Sequence, residues 1–254
     1  MNNRIKNSFA KAKAESRGAF VAYLTVGYPT LEKTEAAADA LVAGGADVLE
    51  LGVPFSDPFA DGGVIRAAAY EALRQGVGLA DALALAGRLR AKHPDTGIVV
   101  FSYYNPVFSM GLGAFADAAR DAGVDAALVV DLPLEEREEL LAELRPRGVG
   151  YVPLIAPNTP LDRVAASAEG VGDSFLYVIT VKGTTGARTE LPADLAERLE
   201  AIRRVSPLPV AAGFGISTRA QAEVVSRHAD GYIVGSALVK RLGEEGELTG
   251  AMLR

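Results

Sequence analysis

The sequence predicts an α/β protein, a (β/α)8 TIM barrel with an extra N-terminal helix, formed as one domain over residues 1–254. Three observations predict it. Eight short apolar runs recur from one end of the chain to the other, each nearly continuous in hydrophobicity, as expected of parallel strands buried on both faces. Alanine-rich segments with helical spacing separate them, and strand-helix alternation makes a parallel sheet. No linker or low-complexity stretch divides the 254 residues, and about 250 residues is the usual length of such a barrel.

The elements follow in order. "MNNRIKNSFAKAKAESRG" is basic and polar with an amphipathic spacing, so it reads as a short helix and not as a secretory signal. The runs are "AFVAYLTVG" (19–27), "DVLELGV" (47–53), "GIVVFSYY" (97–104), "DAALVVDLP" (125–133), "VGYVPLIAP" (149–157), "SFLYVIT" (174–180), "LPVAAGFG" (208–215) and "DGYIVGS" (230–236). "TLEKTEAAADALVAGG", "LGAFADAARDAGV", "LEEREELLAELRPRGV", "LPADLAERLEAIRRV" and "TRAQAEVVSRHAD" are among the helices between them. A weak echo supports repetition: "AGGADVLELG", "DAGVDAALVV" and "SRHADGYIVG" each run from a helix end through Asp into a strand. An open dinucleotide-binding sheet would carry G-x-G-x-x-G after its first strand, and "TVGYPT" lacks it.

Composition excludes several classes of function. With 26 basic and 32 acidic residues the net charge is −6, without a basic block, so no nucleic-acid surface is expected. No run reaches the roughly 18 apolar residues of a membrane span. No membrane association is expected, and the chain is expected in the cytoplasm. Cysteine is absent, which removes disulfides, thiolate nucleophiles and cysteine-ligated metals. The two histidines, His93 and His228, fall near helix ends, where a solvated role is the ordinary one, so no metal site is expected.

In a (β/α)8 barrel the chemistry comes from strand C-terminal ends and the loops after them. Three glycine-rich turns lie there late in the chain: "GTTGAR" (183–188), "GFGIST" (213–218) and "VGSALVK" (234–240). Glycine lets the backbone approach a ligand, and helix N-termini offer free N–H groups to an anion. Together they predict a phosphate cradle at Gly186, Gly215, Gly235 and Ser236, and hence a barrel of the phosphate-binding type.

"LELGVPFSDPFADGG" (49–63) holds the acids. If Leu49, Leu51 and Val53 face the helices, Glu50 projects into the barrel near its top. Desolvation raises the pKa of a carboxyl group toward the range useful in acid–base work. Asp61, on the Pro- and Gly-containing loop, is placed to swing over the mouth and accept a hydrogen bond from a ligand N–H. Asp57 fits a turn or partner surface. Tyr23, Phe101, Tyr103, Leu128, Val130 and Ile155 supply apolar top-face positions for a flat ligand. A sugar-phosphate isomerase and a non-catalytic ligand-binding subunit are the competing readings.

These segments, with "GAFVAYLTVGYP", "SYYNPVF", "VDLP", "APNT" and "GSALVK" in the same order, resemble the tryptophan synthase α-subunit family over nearly the whole chain. The resemblance implies lyase cleavage of indole-3-glycerol phosphate to indole and glyceraldehyde 3-phosphate. It implies Glu50 as the acid/base between indole C3 and the glycerol hydroxyl, and Asp61 as the carboxylate at the indole N–H. Tyr177 falls near the glycerol part, Thr185 on the loop that closes the site, and Phe101, Tyr103, Leu128 and Ile155 on the indole pocket. It further implies no cofactor on this chain, pyridoxal phosphate on a β-subunit partner, and an α2β2 complex. The chain departs from the family pattern at Gly63, where proline is common, at Arg66 for glutamine, at Thr184 in "GTTG" for valine, and at Tyr28 for aspartate.

Overall fold

A computed structural model describes residues 3–180, 194–213 and 215–248. Nine strands form one all-parallel sheet: β1 (Ala19–Thr25), β2 (Val48–Gly52), β3 (Gly97–Ser102), β4 (Ala126–Val129), β5 (Gly150–Tyr151), β6 (Leu154–Ile155), β7 (Leu176–Ile179), β8 (Val210–Gly213) and β9 (Gly231–Val234). Their order is β5-β4-β3-β2-β1-β9-β8-β7-β6. The two ends, β5 and β6, are the halves of one run, "VGYVPLIAP", interrupted at Val152 and Pro153. Proline has no N–H to give a ladder. The Val152 N–H still donates to Ala127 O on the β4 side (2.8 Å), and Pro153 O accepts from the Tyr177 N–H on the β7 side (3.0 Å). That segment therefore joins both edges, and the sheet closes as the eight-membered barrel expected.

Helices cover the outside: α2 (Leu31–Ala43), α3 (Gly63–Arg74), α4 (Leu79–Lys92), α5 (Tyr104–Met110), α6 (Leu112–Asp121), α7 (Glu138–Leu144), α8 (Leu161–Ser167), α9 (Leu195–Val205), α10 (Arg219–His228) and α11 (Ser236–Glu245). Strand alternation sorts the core into two shells. Leu49, Leu51, Val53, Ile98 and Val100 pack outward against Leu41, Leu85 and Leu89 of α2 and α4. Val21, Val48, Val99, Ala126, Val152 and Ala211 fill the barrel interior. The extra helix α1 (Arg4–Ala14) seals the N-terminal end. Its Ile5, Phe9 and Ala12 join the interior cluster, and the Phe9 and Phe175 rings lie 5.4 Å apart.

The sequence echo has a structural reason. Asp47, Asp125 and Asp230 each sit just before a strand and accept an N–H from the first two residues of a neighbouring strand: Phe20 (2.8 Å), Ile98 (2.9 Å) and Val210 (2.9 Å). Each also binds an arginine. Arg17 holds Asp47, Arg4 and Arg90 hold Asp125 from both sides at 2.9 and 2.6 Å, and Arg203 holds Asp230. A paired carboxylate can thus be buried at the strand start, where an unpaired one would cost several kcal/mol. Both histidines end helices, His93 against Asp39 and His228 against Glu200.

Removing Asp125 strands Arg90 and Arg4 at the barrel base. Asp125→Ala is expected to cost about 3 kcal/mol or more, as for a broken buried pair. Asp230→Ala, whose site is more open, is expected to cost less; urea-unfolding midpoints measure the difference.

Candidate active site

At the C-terminal end of β2, alternation turns Glu50 inward, as the sequence predicts, with Tyr23 of β1 and Val99 of β3 as its lateral neighbours. Glu50 is fully buried. Neither carboxyl oxygen has a hydrogen-bond partner among the described residues. Burial alone lifts its pKa to about 8, so the group is protonated at neutral pH.

Two tyrosines flank it. Tyr23 and Tyr177 are both buried in the interior cluster with Phe101 and Leu128, and the Tyr23 and Phe101 rings meet edge to face at 5.4 Å. Burial pushes both phenols well up, and the charges of Glu50 and Asp61 push in the same direction, so the two rings lie within reach of both acids. Glycines make room for them: a Cβ on Gly52 would clash with the Tyr23 hydroxyl, and one on Gly213 would lie 2.6 Å from the Tyr177 hydroxyl. "LG" in β2 and "AG" in β8 are therefore small because a neighbouring phenol occupies that space.

The loop after β2 brings in Asp61, 6% exposed. Its Oδ2 accepts from the Tyr103 hydroxyl at 3.1 Å. Burial raises the Asp61 pKa to about 6, while the Tyr103 hydrogen bond and the Arg66 charge oppose the rise. Asp57 lies exposed on the same loop and accepts from the Ser56 hydroxyl at 2.6 Å, away from the interior acids, as a turn former would. Gly63 is the first residue of α3, and nothing lies within 4 Å of where its Cβ would be. Ile65 and Ala68 of α3 then pack into the interior cluster, so this helix start roofs the mouth.

Two of the expected pocket residues need comment. Ile155 faces the other way: it packs with Val164, Leu176, Val178 and Leu199 between the sheet and helices α8 and α9. Its neighbour Leu154, in register with Tyr177, is the one that packs against the interior cluster, with Val130. Parity along "VPLI" places Val152 and Leu154 together. Tyr103 is buried, but its hydroxyl is engaged with the β2 loop, accepting from the Ala60 N–H at 3.1 Å while donating to Asp61.

Gly215 and Gly235 follow the paired strands β8 and β9. Gly215 has φ +94°, a conformation open to glycine. The two helix starts differ. Thr218 caps α10 and its box partner Gln221 binds the N–H groups of Ser217 and Thr218, so those donors are taken. α11 begins after Gly235 without a side-chain cap among the described residues, so its first-turn N–H groups, beginning at Ser236, are the kind that suit an anion. Thr185 and Gly186 lie outside the described residues. Among the described residues no group of three or more His, Asp or Glu is placed to hold a metal ion, and no helix is long and apolar enough to cross a membrane.

Residues 9–253 match the family described as tryptophan synthase alpha chain. The chain belongs to that family. It is 44% identical over 242 residues to the tryptophan synthase alpha chain of Opitutus terrae, covering 95% of this chain and 90% of the relative. It is equally identical over 244 residues to that of Laribacter hongkongensis, covering 96% and 92%. Among solved structures, Mycobacterium tuberculosis tryptophan synthase superposes with a TM-score of 0.89 at 36% identity, covering all of this chain and 95% of that one. Tryptophan synthase subunit alpha from Legionella pneumophila superposes at 0.88 and 32%, covering 100% and 96%. The chain is thus a TIM-barrel alpha subunit acting in tryptophan synthesis.

Glu50 keeps its proton in the fold up to about pH 8 but loses it near 4.5 when unfolded. Between those values the unfolded state binds fewer protons, so stability falls as pH rises. Glu50→Gln, which removes the titration, is expected to unfold at higher urea than the parent, with a gap that widens by a few kcal/mol from pH 5 to pH 8; a parallel series of midpoints across that range measures it.

Proposed function

We propose that this alpha subunit cleaves indole-3-glycerol phosphate to indole and glyceraldehyde 3-phosphate, the carbon–carbon bond-breaking step of tryptophan synthase, a carbon–carbon/carbon–oxygen lyase (EC 4.2.1.20). The observation that carries the reading is Glu50, fully buried, without a hydrogen-bond partner among the described residues and protonated at the mouth of the barrel beside two phenols. The reaction moves one proton from the glycerol C3′ hydroxyl to indole C3, and one carboxyl group can serve both ends. Glu50 gives its proton to C3. As a carboxylate it then takes the hydroxyl proton while the C3–C3′ electron pair returns to the indole ring and the carbonyl forms. Glu50 ends protonated, as it began. Protonation of C3 places positive charge on the indole nitrogen, and ionised Asp61 accepts the N–H and stabilises it.

Tyr23, Phe101, Leu128 and Leu154 form the walls for the flat ring, Tyr177 lies toward the glycerol chain, and Thr185 belongs to the closing loop. The phosphate is assigned to Gly186, Gly215, Gly235 and Ser236, where uncapped N–H groups and the α11 dipole supply the positive end without a basic cluster. We assign no cofactor to this chain; pyridoxal phosphate belongs to the β subunit, which takes up indole. Phe59 on the β2 loop (70% exposed) and Phe108 on α5 (61% exposed) flank the mouth and suit that partner in an α2β2 complex. The reading places the chain in the cytoplasm.

Glu50→Gln is expected to lower indole formation by about 10²–10⁴-fold while retaining substrate binding; full activity in that variant overturns the assignment, and an unmodified chain that makes no indole with or without a β subunit overturns the lyase reading. The pH profile follows from the two carboxyl groups. Asp61 must be ionised and Glu50 protonated, so kcat/KM is expected to fall below about pH 6 and above about pH 8. Steady-state indole release across pH 5–9 checks both limbs.

A further inference from the structure

The Tyr103 hydroxyl is spent on the β2 loop, and its ring is held there too. It stacks with Phe55 at 4.9 Å and meets Phe59 edge-on at 5.6 Å. Oη accepts from the Ala60 N–H and donates to Asp61 Oδ2, both at 3.1 Å. One side chain from the end of β3 thus touches four residues of the seven from Phe55 to Asp61. The next residue is anchored in turn, because the Tyr104 N–H donates to Asp131 Oδ1 at 2.7 Å from the loop after β4. The position of Tyr103 is therefore set by two strands, while the loop it grips has no regular structure of its own.

We infer that Tyr103 is the positioning residue of this site: it latches the β2 loop over the barrel and presents Asp61 to the ligand. The inference rests on the reading of Asp61 as the carboxylate that meets the indole N–H. The phenol orients one Asp61 oxygen and leaves the other for a ligand. Because it donates to the ionised form, it holds the carboxylate charged against the burial that opposes it. The other charged or titratable groups around the pair are Arg66 on α3, Tyr23 on β1, Tyr177 on β7, with Glu50 deeper in the barrel and Asp131 behind Tyr103. Among the described residues, the side-chain hydrogen bond to the Asp61 carboxylate comes from Tyr103 and from none of these groups. With that hydrogen bond in place, an entering substrate meets an Asp61 already aimed.

Tyr103→Phe keeps the ring stack and removes only the hydroxyl, so the fold is retained. With carboxyl-¹³C aspartate, the Asp61 resonance is assigned by its loss in Asp61→Asn and titrated without substrate. In Tyr103→Phe it is expected to titrate about one pH unit higher. Chymotryptic cleavage after Phe59 is expected to quicken several-fold, and the acid limb of kcat/KM to move up with the titration. An unchanged Asp61 titration overturns the positioning role, and an unchanged cleavage rate overturns the latch. Both readouts are independent of turnover, so a parent chain that makes no indole would overturn the lyase reading while leaving this one decided by the titration.

Discussion

A buried carboxyl group with no hydrogen-bond partner among the described residues is the constraint around which the mouth is arranged. Charging Glu50 there would cost several kcal/mol, so it stays protonated, and only an interior closed on all sides keeps it so. Closure depends on the awkward segment at Val152 and Pro153, which bonds to β4 on one side and β7 on the other. Bulky phenols at positions 23 and 177 keep water from the acid, and glycines at 52 and 213 are needed to fit them. The acid, its two phenols and their two glycines are one packing problem, and each depends on the others.

The barrel treats its acids in opposite ways at its two ends. At the base, Asp47, Asp125 and Asp230 are paired with arginines and strand N–H groups, and they stabilise the sheet. At the top, among the described residues, Glu50 has no such partner and Asp61 has a phenol in place of a cation at its oxygen. The first arrangement keeps carboxylates charged and static. The second raises their pKa values toward neutrality, where protons move readily. Paired and unpaired acids are thus separated along the barrel axis, with α1 sealing the end that holds the paired ones.

Much of the site was legible from local pattern. Period-two alternation in "LELGV" sent Glu50 inward because the leucines needed the helices, and the eight runs announced the barrel. The limits were also physical. Ile155 and Leu154 are adjacent apolar residues, and no property of "PLIA" says which faces the barrel interior; pairing with Tyr177 across the β6–β7 ladder decides it. "GIST" and "GSAL" look alike as anion sites, yet Gln221, three residues into one helix, consumes the donors of the first. Gly63, a departure from the family pattern, is the first residue of α3, a position where proline is equally at home.

By itself, the sequence determined the strand-helix order, the inward acid and the glycine-rich face, since these follow from periodicity and residue chemistry within a few positions. Only the tertiary structure decided that Tyr103 grips Asp61, that Asp125 serves two arginines and that Leu154 lines the interior. Those contacts join residues 42, 121 and 23 positions apart in the chain. Barrel closure brings them together, and no local pattern encodes the distance across it.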